Sequence, residues 1–153
     1  KEFNDDSLKR IIYDMSETMI DYKGIGLAAP QVHISKRIII FRNPDLEDKD
    51  KIQITPLINP VFKPVSNEQE DDWEGCLSIP GMQGLVRRYK KISYYGYDLN
   101  GKKIENEAEG LHARVVQHEI DHLDGILYTD RLVDKKAFGF EKEIIEFWKN
   151  EKK

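Results

Sequence analysis

Two histidines, His118 and His122, enclose a glutamate in the segment HEIDH. On a helix, positions i and i+4 lie one turn apart on one face, so both imidazoles can converge on a single cation. Glu119 stands beside the first histidine and can act as a base toward a water on that cation. A hydrolytic centre of this kind takes three protein ligands and keeps a further position open. Two sources offer the third. Cys76, the sole cysteine, sits in the turn-like run Gly75-Cys76-Leu77, and a thiolate binds soft or borderline divalent metals strongly. The alternative is a carboxylate of the last helix, Glu141 or Glu143, which would make the chain a zinc endopeptidase. In another protease arrangement a histidine falls six residues after the second one, but here that residue is Tyr128. His33 reads as a loop residue, and His112 points to another helix face; both are taken as non-ligands.

The elements that must hold these groups follow from periodicity. Leu8, Ile11, Ile12, Met15 and Met19 recur at helical spacing and predict a helix over 4–22, capped by Asn4 or Asp5 and stopped at Gly24. The segment GIGLAAPQ, 24–31, reads as a Gly-rich turn, and RIIIF, 37–41, as a buried strand. Residues 43–54 read as a surface loop. Pro56, Pro60 and Pro64 predict an edge or broken strand over 56–65. The acidic run 68–74 reads as a loop, followed by extended pieces at 84–89 and 92–98. The step Asn100-Gly101 is a hairpin signal. A central helix is expected over 107–123, with Leu111, Val115, His118 and His122 on one face and Gly125 as its stop. A last helix is expected over 137–149. Strands in the middle and helices at the ends predict an α+β fold, with short antiparallel or mixed sheets packed around the helix that carries HExxH.

The chain has 153 residues, which suits one domain, expected over 1–153. A net charge of −4 gives no basic stripe for nucleic acid. The run Arg87, Arg88, Lys90 and Lys91 reads as a solvated edge. No apolar stretch approaches the ~20 residues of a membrane span. One cysteine excludes an intrachain disulfide and points to a reducing compartment.

Three segments, GIGLAAPQ at 24–31, EGCLS at 74–78 and QHEIDHLDG at 117–125, resemble the three signature motifs of peptide deformylases, in the family's order. The similarity runs over nearly the whole chain. It implies that a short N-terminal piece common in the family is lacking. It also implies removal of the formyl group from N-formyl-methionyl peptides as they leave the ribosome, with release of formate. By the same resemblance Cys76, His118 and His122 hold the metal, Fe2+ natively, with Zn2+, Ni2+ or Co2+ able to substitute. Glu119 is then the general acid/base, and Gln31 with the Leu77 N–H holds the oxyanion. Ile25, Gly26 and Leu27 border the peptide, and Leu111 and Val115 line the methionine pocket. Gly26, Glu74 and Gly75 offer bonds to the peptide backbone, while Glu74 has a second reading as an ion-pair partner of Arg88. Asp121 is expected to orient a histidine or an arginine. Many members carry an arginine where this chain has Gln83, which bears on substrate recognition rather than hydrolysis. A single compact domain with no surplus apolar surface is expected to be a monomer, and a bacterial cytoplasm is the expected location, or an organelle matrix if a transit peptide has been removed.

Overall fold

The first helix, α1, runs Asp6–Asp21 and begins where Asp5 accepts the Ser7 N–H at 3.0 Å. A computed structural model describes residues 5–46, 53–148 and 150; Asn4 and half of the expected 43–54 loop, 47–52, lie outside them. Ile12, Met15 and Met19 form the buried stripe of α1. Strands β1 (Gly26–Ala28), β2 (Ile38–Arg42), β3 (Ile54–Pro64), β6 (Lys91–Tyr97) and β7 (Lys103–Glu109) make one antiparallel sheet in the order β1-β2-β3-β6-β7. Strands β4 (Gln69–Cys76), β5 (Ile79–Tyr89) and β8 (Phe138–Phe140) make a second, in the order β4-β5-β8. Helix α2 (Gly110–Leu123) follows β7, and α3 (Glu141–Phe147) closes the described chain. This is a mixed α+β fold with antiparallel sheets.

The run of isoleucines in β2 is buried on both faces, which is why it is continuous rather than alternating. Ile39 and Phe41 join Leu57, Tyr94, Val115, Val116 and Ile120 on the α2 side. Ile38 and Ile40 join Ile12, Met15 and Met19 on the α1 side. The two helices therefore cover opposite faces of the five-stranded sheet. Helix α2 is buried from His112 through His122, since β4 and β5 lie against its other side.

Pro56 and Pro64 sit in a strand that changes partner. Residues 54–58 pair with β2, and 58–64 pair with β6, with a register break between Ile58 and Val61 and Asn59 at φ +50°. The Asn59 N–H donates to the Arg37 carbonyl at 2.8 Å, which makes 40/56 a non-hydrogen-bonded pair. Pro56 thus costs the ladder no donor. The broken-strand reading holds, although the strand is central rather than at an edge.

Four expectations change. The acidic run 68–74 is strand rather than loop, because its charges face cations across the hairpin: Asp71 pairs with Arg87 and Glu70 lies opposite Arg88. The cationic run is only partly solvated, since Arg88 is 4% exposed. The central helix starts at Gly110, φ +59°, because 103–109 is taken by β7. The last helix is shorter than 137–149, because Phe138–Phe140 pairs with Met82–Gly84, and of the apolar side chains in that segment Phe140, Ile145 and Trp148 are exposed.

Candidate metal centre and cavity

Cys76 arrives at the end of β4, opposite Ile79, so Leu77 and Ser78 form the tight turn into β5. The β4–β5 register breaks between Glu74 and Cys76, a local device that re-aims a side chain. The thiol meets α2, where His122 Nε2 lies 3.3 Å from Sγ. Ligand atoms of Cys76, His118 and His122 all lie within 4.8 Å of one another. Among the described residues no other His, Cys, Asp or Glu joins this group. Glu141 instead accepts from Gln83 Nε2 at 3.2 Å, and α3 supplies no ligand here.

The donor set fits a divalent cation. His118 Nδ1 is bonded to Glu74 Oε1 at 2.7 Å, which leaves Nε2 for a metal and fixes the ring. The ring also stacks on Tyr128 at 6.2 Å and 20°. Burial would push the Cys76 thiol up, but hydrogen bonds from His118 and His122 hold it down at about 5. Burial likewise disfavours a charged His118, yet Cys76 and Glu74 raise it to about 10. A proton on His118 therefore balances the thiolate in the metal-free chain, and a cation held by these residues would displace it.

A buried charge network surrounds this set. Glu74 resists burial and stays ionised, its pKa held at about 2 by His118 and Arg88. Arg88 donates twice to Glu74, at 3.0 Å each, and also to Asp121. Arg131 donates to both oxygens of Asp121. Asp121 thus orients arginines rather than a histidine, and the Glu74 side chain is committed to ion pairs. Gln117 holds β5 by bonding both the N–H and the carbonyl of Tyr89.

Glu119 stands apart from this satisfaction. It is 5% exposed, and its Oε2 has no partner among the described residues. Burial raises its pKa to about 7, only partly offset by His118 and His122. An unpaired buried carboxylate oxygen beside a metal set is an acceptor held ready for a proton. Gly26 makes the room: a Cβ there would lie 2.7 Å from Glu119 Oε1.

Gln31 comes from the 3-10 turn Ala29–Val32. Its Oε1 accepts the Ala28 N–H at 2.9 Å, which turns Nε2 toward Ser78 Oγ at 2.9 Å and Cys76 Sγ at 3.6 Å. A cavity of about 600 Å³ opens over these groups. Ile25, Gly26, Gln31, Glu74, Gly75, Leu77, Leu111, Val115, His118 and Glu119 all line it, so the structure gathers most residues singled out in the sequence. His33 is exposed and His112 is bonded to Tyr94 and Asp45, both remote from the cluster. Sequence reasoning missed Tyr128, Ser78 and Arg114. Arg114 was detectable, because it precedes His118 by one helical turn; Tyr128 carries no local signal.

A family model described as "Polypeptide deformylase" matches residues 1–138. Peptide deformylase 1 of Bordetella pertussis is 50% identical over 143 residues, which cover 92% of this chain and 81% of that protein. Among solved structures, peptide deformylase from Plasmodium falciparum superposes with a TM-score of 0.79 at 37% identity, covering 99% of this chain and 88% of that one. A class I type b peptide deformylase from Acinetobacter baumannii with Met-Ala-Ser bound superposes with a TM-score of 0.76 at 38% identity, covering 86% and 84%.

Proposed function

The chain belongs to the peptide deformylase family, and from that footing we infer how its own residues carry out the metal-dependent hydrolysis of N-formyl-methionyl peptides. The observation that carries the reading is the meeting of the Cys76 thiolate with two imidazoles of one helix, beside a carboxylate that has an unpaired oxygen. In this reading HEIDH of α2 is the two-histidine half of the centre, and Cys76, His118 and His122 hold the cation. Fe2+ is the native ion in this proposal, with Zn2+, Ni2+ or Co2+ able to take its place, as suits a mixed thiolate and imidazole set. When bound, the divalent ion supplies Lewis acidity, which makes water deprotonable near neutral pH and draws charge from an acyl oxygen.

Glu119 Oε2 takes the proton of the attacking water and later delivers it to the departing amine. In the metal-free chain burial already lifts this carboxyl to about 7, so it is predisposed to hold a proton as well as to take one. Negative charge grows on the formyl oxygen, where Gln31 Nε2 and the Leu77 N–H donate. Gln31 is pre-aimed because Ala28 pins its other amide atom. Ile25, Leu111 and Val115 take the methionine side chain, and the backbones of Gly26, Glu74 and Gly75 pair with an extended peptide. The A. baumannii relative was solved with Met-Ala-Ser bound, a peptide that begins with methionine as the proposed product does. Nascent chains at the ribosome are the proposed source of substrate, and the bacterial relatives favour a bacterial cytoplasm.

The deciding assay follows formate release under anaerobic conditions from formyl-Met-Ala-Ser, beside acetyl-Met-Ala-Ser. Turnover of the formyl peptide with the acetyl peptide at background is expected. Equal rates, or no formate from fully metallated protein, would overturn the reading. Gly26→Ala supplies a second measurement. Its methyl displaces Glu119, so kcat should fall by roughly 10²-fold with KM little changed, the scale expected for a misplacement near 1 Å. A kcat within twofold of the parent would show that Glu119 tolerates the shift.

A further inference from the structure

Arg114, His118 and His122 follow one another at i, i+4 and i+8 along α2 and so form one stripe. Each meets the β4–β5 hairpin. Arg114 Nη1 donates to Glu74 Oε2 at 2.7 Å, and His118 Nδ1 bonds Glu74 Oε1 at 2.7 Å. His122 Nε2 lies 3.3 Å from Cys76 Sγ. One carboxylate thus bridges two successive turns of α2, and the thiol meets the third.

The Arg114 guanidinium reaches further. Nη1 also donates to the Val86 carbonyl and Nη2 to the Glu70 carbonyl, both at 3.0 Å. One buried side chain, 5% exposed, therefore ties the helix to both strands of the hairpin whose tip carries Cys76. From within the hairpin, Arg88 also ties to α2, at Asp121 on the C-terminal side of His118. With Arg114 removed, the hairpin's arginine tie N-terminal to His118 is gone, and the Val86 and Glu70 carbonyls and Glu74 Oε2 each lose one donor.

We propose that Arg114 is a positioning residue that sets the register between α2 and the β4–β5 hairpin, and with it the span across which Cys76, His118 and His122 share one cation. The proposal rests on the reading of those three residues as the metal set. It assigns Arg114 a role in metal geometry beyond packing the pocket wall.

The test uses Co2+ as the probe, with affinity read by chelator competition and ligand geometry by visible absorption. Arg114→Met keeps the length of the side chain and removes its donors. Arg114→Lys keeps the charge but cannot make all three bonds. Expected is a roughly 10- to 100-fold weaker Co2+ affinity for Arg114→Met, the range for loss of an outer partner of a metal site, with shifted d–d and thiolate charge-transfer bands. Arg114→Lys should fall between that variant and the parent, and kcat should drop more than KM rises. If Arg114→Met does not fold, Arg114→Lys alone carries the comparison. Parental affinity and spectrum in the variants that fold would overturn the positioning role. A parent Co2+ spectrum without a thiolate band would instead overturn the metal reading beneath it.

Discussion

Replacing Glu119 by Gln should lower kcat for a formyl-methionyl peptide by about 10³-fold, within the range for loss of a positioned acid–base group, and should stabilise the metal-free protein at the same time. The two effects share one cause. Folding buries the carboxyl and leaves Oε2 unpaired, so its pKa rises from the ordinary 4.5 to about 7. The folded chain then holds the Glu119 proton more tightly than the unfolded chain does. Below the unfolded pKa both states are protonated and nothing is lost. As pH climbs from there through the folded value, the unfolded state ionises freely while the folded state must bury a charge. The metal-free parent therefore loses on the order of 3 kcal/mol from this group across that window. Gln carries no charge and escapes the loss. Chemical unfolding of metal-free protein at pH 5 and pH 8 should show the variant gaining on the parent at both, and much more at the higher pH, because pH 5 lies just inside the window that opens at the unfolded value of 4.5. A kcat within tenfold of the parent would remove Glu119 from the proton path. An equal pH dependence in the two proteins would place the cost of the buried carboxylate elsewhere.

Cys76→Ser should leave the fold intact and weaken metal binding by more than about 10²-fold, beyond the usual loss for an outer partner alone. A serine hydroxyl does not ionise at neutral pH, whereas the Cys76 thiol is held at about 5. The residue sits at the end of a strand, partly exposed, where replacing sulfur by oxygen opens no cavity in the core. His118 keeps its bond to Glu74, so the helix should stay in place. Metal content after dialysis, circular dichroism and formate release on one sample check all three points. Unchanged metal content would mean that the third ligand lies elsewhere and would reopen the endopeptidase alternative with Glu141 or Glu143.

Much of the site was legible because helical spacing is a local rule. His118 and His122 must share a face wherever that segment is helical, and Glu119 must lie beside them. The broken strand was legible for a similar reason, since proline removes a donor in any context. The misreadings arose where a distant partner reversed a local preference. The acidic run 68–74 looks like loop until Arg87 and Arg88 come opposite. Phe138–Phe140 continues a helical pattern until β5 offers an unpaired edge. Arg88 belongs to a hydrophilic run, yet Glu74 and Asp121 make its burial tolerable.

The sequence by itself determined the chemistry on offer: two imidazoles and a carboxylate on one helix, one thiol, one amide in a tight turn, and the resemblance of three segments to deformylase motifs. Local backbone geometry is enough to arrange neighbours along a chain. Only the tertiary structure decided that Cys76 and not Glu141 meets the histidines, because that depends on the offset between α2 and the β4–β5 hairpin. That offset is set by Glu74, Arg88, Arg114 and Asp121, whose charges are stable out of water only in each other's company. Tertiary structure also decided that Glu119 is buried without a partner, which is a property of the cavity formed by Gly26 and its neighbours and not of any segment read alone.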